Sequence, residues 1–398
     1  MIQPSQQGRR LTTEIRLACR TKEIGPGGKY PLDFHPPRRV LRFPVGVGEI
    51  FQGHPCEKAA VRLNHSRSTS SIVRVCLLTT QDLDRHPFPS DDWPCDPRPY
   101  LPEAFWHVEP LTKKDAATVV ERMVGRGEFD LFFNLCDGAA DEDKPGIEVV
   151  ETLERYGVPF TGATSNYYEP TREMMKEACR AEGIATPAAV LARNEDDVSR
   201  AVETLRFPLF VKHHNSYASV GISRRSRVQS PAGLYQQARK FISRFGAALI
   251  EEYVAGMECT VLVAENPDDP ESPVSYAPMQ YCFPEGEEFK HSDLKWVEYD
   301  ALACVPVADA ALEARLRKEA GRFFVGLGGA SFGRCDVRVD AGGTPWFLEI
   351  NPNCGVYYPP TDPGSADLCL MNDPAGHEGF TRQLVRAALA RHARIKEG

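Results

Sequence analysis

Four side chains within one short stretch, GRCDVRVDAGGTPWFLEINPNCG (Gly333–Gly355), are of types that act together: Arg334, Asp336, Glu349 and Asn351. The segments Gly333–Asp340 and Thr344–Ile350 read as strands rich in β-branched and aromatic residues. Gly342-Gly343 between them reads as a two-residue hairpin turn, where both residues can take positive φ. Closing the hairpin there sets Asp336 opposite Glu349 and Arg334 opposite Asn351. Residues two apart share a face of a strand, so all four polar groups lie together at one end. Opposed carboxylates repel unless a cation separates them. Carboxylates with an amide oxygen suit Mg²⁺, a hard ion that usually also keeps waters and substrate phosphates. The stretch therefore predicts a magnesium–phosphate site at Asp336, Glu349 and Asn351.

Phosphate chemistry needs further cations and a place for a base. Lys212 ends an apolar strand, Pro208–His213, before a loop of small and polar residues that resumes at Val220-Gly221. A lysine there can neutralise phosphate oxygens while loop amides cradle them. In ALIEEYVAGMECTVLV, the carboxylate or carbonyl of Glu251 could take an adenine amino proton, and the Val254 N–H could return a bond to the ring. Glu258, on the next strand, could accept from ribose hydroxyls. No G-x-x-x-x-G-K-[ST], G-x-G-x-x-G or G-x-S-x-G motif sits in the required context, so the route is neither a P-loop, a dinucleotide fold nor a serine hydrolase.

Those residues need a multi-domain frame. A chain of 398 residues exceeds one ordinary core. A formal charge of −8 argues against nucleic acid as the main partner. No apolar run approaches the roughly 20 residues of a membrane span. The 12 cysteines form no CxxC pair and read as reduced packing residues, which favours a cytoplasmic protein. Residues 1–70, rich in Pro, Gly and Arg, read as a disordered, removable extension; import into an organelle through it is weakened by Glu14, Glu23 and Asp33. From Ser71 onward, strands (71–80, 129–135, 158–161) alternate with helices (113–126, 147–156), the pattern of a parallel α/β sheet. An amphipathic helix over Thr171–Glu182 follows, then a helix over 233–245 and strands over 247–254 and 258–264. A long helix over Ala311–Leu327 leads into the hairpin, and Gly379–Ile395 is a basic helix.

The order of Lys212, Glu251, Glu258, Asp336, Glu349 and Asn351 resembles the ATP-grasp superfamily, and the details are similar to the D-alanine–D-alanine ligase family. The pieces that carry this are FDLFFNLCDG, FVK…SVGIS, IEEYVAGMECTV, LKW, GRCDV and FLEINPNCG, across roughly Phe129–Gly355. The resemblance implies a Rossmann-like domain over residues 71–168, then ATP-grasp subdomains over 169–256 and 257–398 with ATP between them. It implies that Ser219 lies in a loop closing on the phosphates and that Lys295 reaches the γ-phosphate, with Lys290 a nearby competitor. It also implies two Mg²⁺ ions, replaceable by Mn²⁺, on Asp336, Glu349 and Asn351, and an oxyanion held by Arg334 and the Gly355 N–H. Departures are Arg172 where the family has a phosphate-reaching lysine, a SYAS loop poorer in glycine, and Pro360 where a serine would hold a substrate carboxylate.

The implied reaction is an ATP-dependent ligation of a small carboxylate and an amine, with amino acids as substrates. An acyl phosphate forms, an amine attacks it, and ADP and phosphate leave. Two other readings stay open: a kinase-type relative that phosphorylates without forming an amide, and a nucleotide-binding protein without catalysis. A homodimer is also open. Tyr217, Trp296 and Tyr357–Pro360 suggest an acceptor pocket more aromatic than D-alanine needs. Glu349→Gln is expected to abolish turnover and leave folding nearly intact, because Asp336 repels the carboxylate it removes.

Overall fold

The computed structural model describes residues 72–80, 95–139, 142–215, 220–291, 294 and 302–397, all within the unit Val40–Gly398. Ser219, Lys295, Tyr217, Trp296 and the 1–70 extension lie outside the described residues.

Strands β1 (Arg74–Thr80), β2 (Phe105–Leu111) and β3 (Leu131–Asn134) form a parallel sheet in the order β2-β1-β3. Continuous apolar runs make β1 and β3 buried on both faces, as parallel strands require. Helices α1 (Ala116–Gly125) and α2 (Ile147–Arg155) cover one face. The sequence gives little sign of β2: FWHVEPL is half-exposed and carries Pro110, as an edge strand can. Where a strand over 158–161 is expected, only an isolated parallel bridge joins Phe160 to Phe132.

Helix α3 (Arg172–Ala181) follows, started by the Thr171 hydroxyl, which accepts from the Met174 N–H. It ends at Gly183, whose φ of +62° suits only glycine well. Strands β4 (Ala189–Ala192), β5 (Leu209–His213), β6 (Arg227–Val228) and β7 (Ala248–Glu252) then form an antiparallel sheet, in the order β4-β7-β5-β6. Helices α4 (Glu195–Thr204) and α5 (Pro231–Phe245) pack on it through Val198, Leu234 and Phe241.

The third sheet runs β11-β10-β8-β12-β13, with β9 on the other part of β8. Its members are β8 (Met257–Ala264), β9 (Val274–Ser275), β10 (Met279–Cys282), β11 (Ala303–Pro306), β12 (Phe332–Val339) and β13 (Pro345–Asn351). Alternation sorts β12 cleanly. Cys335, Val337 and Val339 enter a core with α3 and α6 (Ala310–Gly326), while Phe332 faces α7 (Ser365–Met371) and α8 (Gly376–Glu397). Arg334, Asp336 and Arg338 are on that second face by the same alternation.

The predicted hairpin differs from the observed one in two ways that cancel. The Asp340 N–H donates to the Thr344 carbonyl and Gly343 has φ +76°, so the turn is three residues, Ala341–Gly343, rather than Gly342-Gly343 alone. That moves Val337 opposite Phe347 and Arg338 opposite Trp346. A bulge between Asp336 and Val337 then restores the predicted pairs, Asp336 with Glu349 and Arg334 with Asn351. Asp340 holds the turn: its carboxylate accepts from Gly342 N–H and Thr344 N–H, each at 2.9 Å, and from Trp346 Nε1 at 2.8 Å. Asp340→Ala removes the acceptor of all three hydrogen bonds and is expected to lower the melting temperature.

Candidate active site

Side chains from β12, β13, α3 and β5 meet at the hairpin's open end. Asp336 and Glu349 are direct cross-strand partners, which alone would be repulsive. Each carboxylate carries its own guanidinium partner. Arg334 Nη2 lies 3.3 Å from Asp336 Oδ2. Arg172, on the first turn of α3, forms an ion pair with Glu349, and Lys212 Nζ is 3.8 Å from the same Glu349 oxygen. Glu349 is thus not merely repelled by its neighbour; it is held by two cations. The expectation that Glu349→Gln leaves folding nearly intact is corrected on this ground.

Behind this pair lies a second acid. Glu251 on β7 is 2% exposed. Its carboxylate is 2.9 Å from Lys212 Nζ on β5 and 3.0 Å from Lys176 Nζ on α3. Burial pushes the Glu251 carboxyl up, but Lys176 and Lys212 outweigh it and hold it at about 2. Burial, with Arg172 and Lys176 adding to it, brings the Lys212 ammonium down to about 7 against the pull of Glu251. The Glu251 carboxylate is therefore committed to two lysines. Of the two adenine contacts the sequence allows for Glu251, the carboxylate is taken up by the lysines, and the carbonyl stands opposite Phe210 in the β5–β7 ladder with one lone pair to offer.

Glu258, on β8, is also paired. Arg338 Nη1 lies 3.1 Å from it and Lys290 Nζ 3.3 Å. Lys290 stands over the Tyr281 ring at 3.7 Å. Burial works against its charge, but Tyr281, Asp336 and Glu258 outweigh that and raise its pKa. Lys290 is thus placed between the Glu258 end and the Asp336 end. Arg338 ties the turn before β8 to β12: it donates to the Val254 and Gly256 carbonyls, each at 3.0 Å, and to Tyr253 Oη at 3.1 Å.

Arg334 keeps one unused donor. Its Nε is buried and has no hydrogen-bond partner among the described residues. Burial disfavours its charge and Asp336 outweighs that, so the guanidinium stays protonated. Gly355 lies under Tyr358: a Cβ there would fall 2.6 Å from the ring.

Asp336, Glu349 and Asn351 fit a divalent ion that arrives with other ligands. They supply two carboxylates and one amide oxygen, and Asn351 Oδ1 is oriented by the Asn353 N–H at 3.1 Å. Among the described residues no three His, Cys, Asp or Glu groups converge on one point. Waters and phosphate oxygens would complete the shell, as Mg²⁺ prefers.

Sequence reasoning missed Lys176 and Arg338. Lys176 stands one helical turn after Arg172, a spacing that puts both on one face of α3, which was the available signal. Arg338 lies two residues beyond Asp336 on the same strand face.

Comparison with known proteins follows the same residues. The family model described as "D-ala D-ala ligase C-terminus" matches residues 180–358. A D-alanine–D-alanine ligase of Chromohalobacter salexigens is 31% identical over 230 residues, 57% of this chain and 67% of that protein. A D-alanine–D-alanine ligase of Pseudomonas fluorescens is 28% identical over 278 residues, 69% of this chain and 78% of that protein. Among solved structures, the D-alanine–D-alanine ligase of Bacillus anthracis complexed with ATP superposes with a TM-score of 0.57 at 19% identity, covering 83% of this chain and all of that one. The D-Ala:D-Ser ligase of Enterococcus faecalis gives 0.56 at 13% identity, over 80% of this chain and 100% of that one.

Proposed function

This chain belongs to the D-alanine–D-alanine ligase family, with the ATP-grasp fold and ATP-dependent carbon–nitrogen ligase activity on small molecules, and we propose that it joins two small amino acids through an amide. The family uses ATP and a divalent metal. The observation that carries the reading is the opposed pair Asp336 and Glu349, ringed by Arg334, Arg172 and Lys212.

A carboxylate is a poor electrophile. Its oxygen attacks the γ-phosphorus of ATP, the bond to the bridging oxygen breaks, and ADP leaves with those electrons. The resulting acyl phosphate is attacked by an amine nitrogen. The tetrahedral oxyanion collapses, phosphate departs, and the nitrogen gives up its proton. Lys212, Arg172 and Lys290 offset phosphate charge, with Lys295 the further candidate. The buried Nε of Arg334 and the Gly355 N–H face the developing oxyanion; one such donor is typically worth roughly 10²–10³ in rate. Asp336, Glu349 and Asn351 would hold two Mg²⁺ ions, or Mn²⁺, whose contribution when bound is to clamp phosphate oxygens and spread their charge. Val254 and the Glu251 carbonyl would meet adenine, Glu258 the ribose, and Ser219 the phosphate loop.

The same reading assigns one sheet to each of the spans 71–168, 169–256 and 257–398. A cytoplasmic setting supplies the ATP. No helix among the described residues is long and apolar enough to cross a membrane. The kinase-type alternative makes no use of an oxyanion donor, and the unused Arg334 Nε favours ligation over it. ADP release should require both an amino acid and an amine, and mass spectrometry should find the amide. A broad amino-acid panel that yields no ADP, or a stable phosphorylated product without amide, would overturn the proposal.

A further inference from the structure

Immediately after Gly355 the chain adopts a conformation that side-chain-bearing residues seldom take. Tyr357 has φ +71°, and such outliers persist only where their surroundings over-determine them. Here they do. The Tyr357 N–H donates to Asp367 Oδ1 at 2.7 Å, and its carbonyl accepts from the Asp96 N–H at 3.1 Å. Its ring is fully enclosed against Phe133 and Phe380, and Thr381 Oγ1 lies 3.0 Å from its hydroxyl.

Asp367 closes the loop from both sides. It is 1% exposed, and its second oxygen accepts from the Gly364 N–H at 2.9 Å. His377 Nε2, stacked on Tyr100, is 2.8 Å from the first. One carboxylate thus joins the two ends of Tyr357–Gly364. The left-handed turn at Tyr357 sends the next residue back over the strand end. The half-buried Tyr358 ring lies between Gly355 and Gly364, where a Cβ would come within 2.6 and 3.0 Å of it. The Cys95 thiol lies in the same neighbourhood, where burial raises its pKa. A side chain at Gly355 would force the ring to move, and one at Gly364 would crowd it.

We propose that Tyr358 is the wall on which the amino-acid substrate packs its side chain beside Gly355, and that Asp367 is the positioning residue that holds this wall through Tyr357. The inference rests on the ligase reading above, which puts the reacting carbonyl at Gly355. It names what selects the substrate: a flat aromatic surface fixed to the backbone, matched to small or flat side chains and closed to bulky branched ones.

The test uses the full chain with ATP and the amino-acid panel. Tyr358→Ala should raise kcat/KM for larger side chains relative to alanine by about tenfold or more, with KM for ATP within about twofold. Asp367→Asn keeps one acceptor but cannot accept at both loop ends. It should raise KM for the amino acid about tenfold while KM for ATP holds, a split that a general structural lesion would not give. Labelling of Cys95 by a thiol reagent, followed on its peptide, should also accelerate in Asp367→Asn. An active Tyr358→Ala enzyme with the wild-type ranking overturns the wall and leaves the ligase reading standing. A wild-type enzyme that releases no ADP with any amino acid overturns the ligase reading and the wall with it. Should Asp367→Asn fail to fold, Tyr358→Ala decides alone.

Discussion

Glu349→Gln is expected to stop turnover and to lower the melting temperature of the metal-free protein. The first effect follows from the site. A carboxylate that clamps phosphate through a divalent ion supplies several kcal/mol of charge stabilisation in the transition state, on the order of 10³ or more in rate. The second follows from its partners. Arg172 is 7% exposed and pairs with Glu349, and Lys212 stands 3.8 Å away. Removing one member of a buried ion pair strands the other charge, at about 3–5 kcal/mol when both are fully buried. The Glu349 side chain is 23% exposed, so water relieves part of this, and about 1–3 kcal/mol is expected. Thermal denaturation without metal checks the stability arm, and ADP release checks the rate. A variant that is inactive yet melts with wild type would show that the pair contributes nothing to the resting fold.

Arg172→Gln is expected to let a divalent ion bind without nucleotide. In the resting protein both proposed metal carboxylates already carry guanidinium groups, Arg334 on Asp336 and Arg172 on Glu349. Around Glu349 and Glu251 stand three basic groups, Arg172, Lys176 and Lys212, against two carboxylates. A free divalent cation must displace a guanidinium and enter among these basic groups. A nucleotide triphosphate brings the negative charge that draws Arg172 and Lys212 off Glu349. Metal and nucleotide should therefore bind with positive coupling, each strengthening the other by the same factor. Mn²⁺ affinity without nucleotide should rise about tenfold in Arg172→Gln, roughly 1.4 kcal/mol, while nucleotide affinity falls. Electron paramagnetic resonance of Mn²⁺ with and without ADP reads this directly, with no turnover needed. Equal Mn²⁺ affinity in the two proteins would show that Arg172 does not guard the carboxylate.

How much of this was legible in the sequence differs by element. The central strands stand out because burial on both faces demands unbroken apolar runs, as in RVCLLTT and LFFN. Edge strands do not, since one side faces water: FWHVEPL and ACVP carry no clear period and went unread. The hairpin shows a subtler limit. Its pairing at Asp336 and Glu349 was read correctly from a turn one residue too short, because the bulge after Asp336 cancels the error. The signal for that bulge is Phe347 and Ile350, both fully buried although three apart, a spacing that regular alternation forbids. The charges of the site were readable as residue types, but their pairing was not. The spacing of Lys176 from Arg172 marks a shared helix face, but that this face reaches Glu251 is set by the three-dimensional approach of α3 to β7.

The grip of Arg338 on the turn before β8 has a consequence for how a nucleotide would be measured. Asp336 and Arg338 are two residues apart on one strand, roughly 7 Å along it. From Arg338 the chain at Val254 and Gly256, and the carboxylate of Glu258, are fixed by direct bonds. The ribose carboxylate proposed at Glu258 and the metal carboxylate proposed at Asp336 therefore keep a fixed spacing along the third sheet, while Lys212 and Glu251 would reach the same nucleotide from the second sheet. A nucleotide too short to span that spacing would meet one end or the other but not both.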